Sequence, residues 1–233
     1  MIDELKQVVI FENGVKRSYP LSHLRGLRVT IKDLKRDDLS KVDVNIEVHP
    51  SNHLYSRKKE DEDNLDDLNR RGAVFYRPIS QASSKKETRI FCKEKYMASQ
   101  FLKPLIMQLN KSPEKKCILA NKYDKESCFS AVFDIKGNPN EAYLIIFKLK
   151  KVNSKKLIMS IDTGFLSNVN NRHPLRVLKG NKSKELLPFS IIVRNVLQGR
   201  RPFDGIRRSK NSVRNLKKKK RRALKKNSDP QLK

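Results

Sequence analysis

The chain has 233 residues, with 53 Lys and Arg against 25 Asp and Glu and a formal net charge of +28. No apolar run approaches the ~20 residues that a membrane-spanning helix needs. The three scattered cysteines, Cys92, Cys117 and Cys128, are odd in number and include no CxxC pair, so neither a disulfide framework nor a thiolate zinc site is indicated.

The charge is spread along the whole chain. Residues 199–233 hold 15 Lys and Arg against two acids, and residues 1–198 still carry +15. Such a charge calls for a polyanion, and nucleic acid is the commonest one in a cell. The opening residues place acids, Asp3 and Glu4, where a secretory leader would carry cations, which predicts a cytoplasmic location and no membrane partner.

In chain order, residues 8–11 are a short apolar run ahead of Asn13-Gly14, a strand leading into a tight turn. Residues 27–31 and 42–48 alternate apolar and polar side chains, as half-buried antiparallel strands do. Pro50 breaks that pattern. Residues 59–71 form an acidic, exposed segment with Leu65 and Leu68 three apart, a short helix or a loop. Residues 73–76 read as a strand and 80–87 as a loop. From 93 to 110, Met97, Phe101, Leu105 and Leu109 recur every fourth position beside Leu102 and Ile106, an amphipathic helix that Pro104 should kink or divide.

Beyond it, residues 117–120, 129–135, 143–149, 157–161 and 189–196 read as strands. Residues 137–140 and Asn153-Ser154 fall between neighbouring strands at hairpin-like spacing. Residues 168–184 are a polar connection. The fold class predicted is α+β: an antiparallel β-meander packed on one main helix, with one globular domain over 1–203. Residues 204–233 lack an apolar face and are predicted to be a disordered basic tail.

Two of the four histidines fall in the segment His49-Pro50-Ser51-Asn52-His53-Leu54-Tyr55-Ser56-Arg57. In an extended chain, positions 49, 53, 55 and 57 share side-chain parity. Two imidazoles and an arginine on one phosphate suit metal-free RNA cleavage. One His takes the 2′-hydroxyl proton, the other protonates the leaving oxygen, and Arg57 or Arg89 steadies the transition-state charge. Nucleic-acid contact without catalysis, or a purely structural role, fits the same residues. No metal or cofactor is indicated: an H-x₃-H pair needs a helix to bind a metal, and the acidic run lacks the EF-hand glycine and terminal glutamate. P-loop, GxGxxG and GxSxG motifs are absent.

For nucleic-acid contact the candidates are Tyr55 for stacking, and Arg89 and Lys93 at a helix start, where two nearby cations should also lower the Cys92 thiol pKa. Arg200 and Arg201 follow the last strand. The block Lys217, Lys218, Lys219, Lys220, Arg221 and Arg222 lies in the tail. Lys148, Lys150 and Lys151 end another strand and suit the same groove. The six carboxylates Glu60, Asp61, Glu62, Asp63, Asp66 and Asp67 offer an intramolecular partner for the tail.

The segment Ser51-x-His53-x-Tyr55-Ser56-Arg57, with Arg89-Ile90-Phe91 and residues 160–165, resembles a bacterial family associated with plasmids, prophages and stationary-phase growth adaptation. The resemblance spans roughly residues 8–203 and implies a mobile-element setting without naming a reaction. At the level of fold, a helix followed by an antiparallel meander is similar to the small toxin ribonucleases of the barnase, colicin and RelE type.

Three functions therefore compete. The first is a nucleic-acid binder of low sequence selectivity. The second is a metal-independent ribonuclease using His49 and His53. The third is a non-enzymatic protein that docks an acidic partner.

Overall fold

The computed structural model describes residues 6–78, 86–120, 127–132, 138–171, 174 and 186–204. The predicted disordered tail, with its block from Lys217 to Arg222, lies outside the described residues.

β1 (Gln7–Glu12) and β2 (Val15–Pro20) form a hairpin whose turn residues Asn13 and Gly14 both have positive φ, +52° and +76°. That is the backbone a two-residue hairpin requires, and Asn-Gly reaches it with little strain. β3 (Arg28–Lys35) and β4 (Lys41–Pro50) follow as an antiparallel pair. Their alternation buries Val29, Ile31, Val42, Val44, Ile46 and Val48 on one face. β5 (Ser56–Lys58), β6 (Val74–Pro78) and β7 (Lys86–Phe91) make a separate three-stranded sheet in the order β5-β7-β6.

The acidic stretch between β5 and β6 contains α1 (Leu65–Arg70), one of the two forms expected of it. The Asn64 side chain accepts from the Asp66 and Asp67 amides, and those two acids occupy the first turn, the favourable end for negative charge.

The large sheet contains β8 (Cys117–Ala120), β9 (Ser127–Val132), β10 (Glu141–Lys151), β11 (Lys156–Asn168) and β12 (Leu186–Pro188). With β3 and β4 it runs in the order β12-β8-β9-β10-β11-β4-β3. β8 through β11 form the expected antiparallel meander. β11 then joins β4 in parallel, Lys156 opposite Asn45 and Ile161 opposite Pro50. The fold is α+β.

The helical layer differs from the single helix expected. α2 (Lys93–Ser99) and α3 (Leu102–Lys111) are separate, and the break falls at Gln100 and Phe101. Pro104 lies in the first turn of α3, where its missing N–H leaves no helical hydrogen bond unmade. α3 buries Leu102, Leu105, Ile106 and Leu109, but the break turns Met97 outward. Residues 189–196, expected as a strand, belong to a third helix of this layer, α4 (Phe189–Leu197). Its β-branched residues suggested a strand, yet Phe189, Ile192, Val193 and Val196 follow helical spacing and all four are buried. One apolar cluster joins these helices, one face of the large sheet and the β1–β2 hairpin.

Candidate nucleic-acid interface

β4 divides the candidate residues between two ends of the molecule. At ~3.4 Å per residue, Lys41 and His49 lie about 27 Å apart along the strand. The His-Arg cluster gathers beyond His49, and the root of the basic tail packs beside the turn before Lys41.

At the His49 end, shared parity fails because the chain is not extended. Ser51 Oγ donates to the Asp162 carbonyl at 2.7 Å and accepts from the His53 amide, starting a short 3-10 turn over Asn52–Leu54. His49 is exposed, with Nε2 3.8 Å from Glu47 Oε2. Glu47 also accepts from Lys156 Nζ at 2.7 Å, and that hydrogen bond is the main reason its carboxyl pKa is lowered. His53 Nε2 lies 3.8 Å from a different carboxylate, Glu87 Oε2.

Arg57 makes a bidentate pair with Asp63, Nη1 to Oδ2 at 2.7 Å and Nη2 to Oδ1 at 2.5 Å. The Arg57 hydrogen bond holds the Asp63 carboxyl down to about 2. Arg89 is only 4% exposed. Its Nε and Nη2 donate to Ser56 Oγ and the Ser56 carbonyl, both at 2.9 Å, and Nη1 is 3.3 Å from Glu87 Oε2. Tyr55, 3% exposed, packs edge-on against Phe75 at 5.7 Å, and burial raises its hydroxyl to about 12. The two residues proposed to stack on a base and grip a phosphate, Tyr55 and Arg89, are thus interior residues.

Burial, followed by Glu94, raises the Cys92 thiol, the reverse of the expected lowering. Lys93 is exposed at the start of α2.

A Ser–His contact that the sequence did not suggest joins His23 Nε2 and Ser99 Oγ at 2.7 Å. Ser99 is fully buried and its Oγ also lies 2.6 Å from the Tyr96 carbonyl, so the contact ties His23 to α2 inside the fold rather than at an open site. Among the described residues no three His, Cys, Asp or Glu side chains converge as a metal site. No helix among them is long and apolar enough to cross a membrane.

At the other end, the β3–β4 and β10–β11 turns touch: Arg36 Nη2 donates to the Ser154 carbonyl at 3.1 Å, and the Asn45 amide donates to the Lys155 carbonyl at 2.9 Å. These turns bring together Lys35, Arg36, Lys41, Lys150, Lys151 and Lys155. The five lysines are exposed and have no carboxylate partner among the described residues.

Arg200 docks on the same end. Its Nη1 is 2.9 Å from Asp37 Oδ2, Nη2 also reaches Gln198 Oε1, and Arg194 Nε lies 3.9 Å from Asp37 Oδ1. Arg201 beside it is exposed. Lys35, Arg36, Lys41 and Lys155 were not picked out by sequence. Their proximity depends on β4 and β11 running parallel, which no local pattern encodes.

Residues 10–197 match the model of the YjaZ family, which covers most of the chain. The chain belongs to the YjaZ family. The match ends ahead of Arg200 and the basic tail, and the family description names no reaction or ligand. No curated protein and no solved structure matches the chain.

Proposed function

We propose that the protein binds nucleic acid with little sequence selectivity, through the lysine-bearing turns of β3–β4 and β10–β11 and the basic tail that follows Arg200. The observation that carries this reading is the Arg200–Asp37 ion pair, which fixes the root of the tail against the β3–β4 turn. Residues 205–233 contribute 13 Lys and Arg and one acid. Tail and turns therefore act on one stretch of phosphates. Residues 35–41 and 150–156, which make up these turns, include no aromatic residue, so binding through them rests on phosphate charge.

The test is the salt dependence of affinity for a mixed-sequence duplex. Deleting 205–233 makes the slope of log K against log salt shallower. Lys150→Gln/Lys151→Gln/Lys155→Gln in the full chain lowers it further, by about 2–3 if each lysine neutralises one phosphate. An unchanged slope in both variants overturns the reading.

The ribonuclease alternative has less support. His49 and His53 face separate carboxylates, and Arg57 and Arg89 are committed to Asp63 and to Ser56 with Glu87. Incubation of labelled RNA in EDTA with wild type and His53→Ala tests it. Intact RNA in both lanes is expected, and cleavage by wild type alone would restore that reading.

A further inference from the structure

The β3–β4 turn carries a side chain that the fold does not use. The Arg36 amide donates to the Ser40 carbonyl at 2.9 Å, and the Leu39 amide donates to the Arg36 carbonyl at 3.2 Å. This closes a three-residue loop, Asp37-Asp38-Leu39, in which Leu39 has φ +66°. The third position of such a loop takes the left-handed backbone and is ordinarily glycine, because a Cβ there is strained.

Leu39 is also 79% exposed, the highest value among the large apolar side chains described. The position thus bears both a conformational and a hydration penalty, and a glycine would remove both. A strained residue that contributes nothing to the core points to a role outside the fold.

Its surroundings indicate the partner. Lys35, Arg36 and Lys41 flank the loop, and the neighbouring turn adds Lys150, Lys151 and Lys155, with Val152 49% exposed between them. The loop's own acids are engaged: Asp37 pairs with Arg200, and Asp38 Oδ1 accepts from the Ser40 amide and hydroxyl. A projecting aliphatic side chain ringed by cations is the arrangement with which architectural proteins part a base step and bend a duplex. Lipid attachment would call for a broader apolar surface than these two side chains.

We infer that Leu39 is an apolar wedge that enters the minor groove of B-form DNA and kinks it, while the lysines around the turn hold the flanking phosphates. The inference rests on the nucleic-acid reading above and adds to it a substrate class, deformable duplex DNA, and a consequence, bending.

The experiment measures bend by energy transfer between the ends of a duplex of about 30 base pairs. It uses full-length wild type, Leu39→Ala and Leu39→Gly, and records affinity and thermal stability alongside. Wild type should shorten the end-to-end distance. Both variants should still bind the duplex but leave it straight, and Leu39→Gly should melt no lower than wild type, which separates loss of the wedge from loss of the fold. Equal bending by wild type and Leu39→Gly overturns the wedge and leaves the binding proposal standing. Absence of duplex binding by wild type overturns both. Sedimentation with anionic phosphatidylserine vesicles that is lost in Leu39→Gly, with DNA bending unchanged, overturns the wedge in favour of a lipid surface.

Discussion

Among individual residues, Arg57 shows how the fold reassigns a side chain that looks catalytic. Its guanidinium could serve a phosphate, but the turn ahead of α1 presents Asp63 in bidentate geometry, and charge-assisted pairing of this kind is among the stronger hydrogen-bonding arrangements. The same contact makes stability depend on pH. An unfolded aspartate titrates near ~3.9, and the folded carboxyl is held down to about 2, first by the Arg57 hydrogen bond and then by the Glu60 amide. A lowered folded pKa means that the contribution is complete above the unfolded value and disappears as pH falls through the folded one. Wild type should therefore melt above Asp63→Asn at pH 5 and higher, and the two melting curves should converge between about pH 4 and pH 2. A difference in melting temperature that stays constant down to pH 2 would show that Asp63 acts through packing alone.

For whole elements, the strands and turns with a local pattern were legible in the sequence. Asn13-Gly14 marked its hairpin, and the alternation in β3 and β4 marked their buried face. α4 was misread because four β-branched residues in nine outweighed an apolar spacing that was visible at the same time. The break between α2 and α3 came before Pro104, since proline in a first turn starts a helix as readily as it ends one. The parallel pairing of β4 with β11 could not be read, because it joins segments more than a hundred residues apart, and with it went the grouping of the lysine turns.

Contact between elements also explains one glycine. A Cβ on Gly164 of β11 would overlap the Tyr143 hydroxyl from β10 and come within 2.8 Å of Leu54 Cδ2 in the 3-10 turn. Tyr143 is fully buried and cannot swing aside without opening the core. Gly164→Ala should destabilise the fold by roughly 1–3 kcal/mol, and Gly164→Ala/Tyr143→Phe should recover part of that loss. Chemical denaturation of the two variants measures it. An unaltered midpoint in Gly164→Ala would mean that Tyr143 and the 3-10 turn both relax at little cost.

Across the whole molecule, the proposed function is a competition between anions for one set of cations. The acidic segment lies beyond the His49 end of β4, and the tail begins near the opposite end, but a chain of 29 residues reaches about 30 Å even as a random coil. Of the six carboxylates, Asp63 and Glu60 face Arg57 and Asp67 pairs with Arg71. Asp61, Glu62 and Asp66 are exposed, with no cation partner among the described residues. These three are the ones available to the tail when nucleic acid is absent, and any such contact must be given up on binding. Asp61→Asn/Glu62→Gln/Asp66→Asn should therefore tighten duplex binding about threefold at low salt, the scale of a few exposed ion pairs, and the gain should fade as salt rises. The same triple change in a chain lacking 205–233 should have a smaller effect. Equal gains with and without the tail would assign the effect to general repulsion between the acidic segment and the phosphates, and no gain in either would remove the acidic segment from the binding equilibrium.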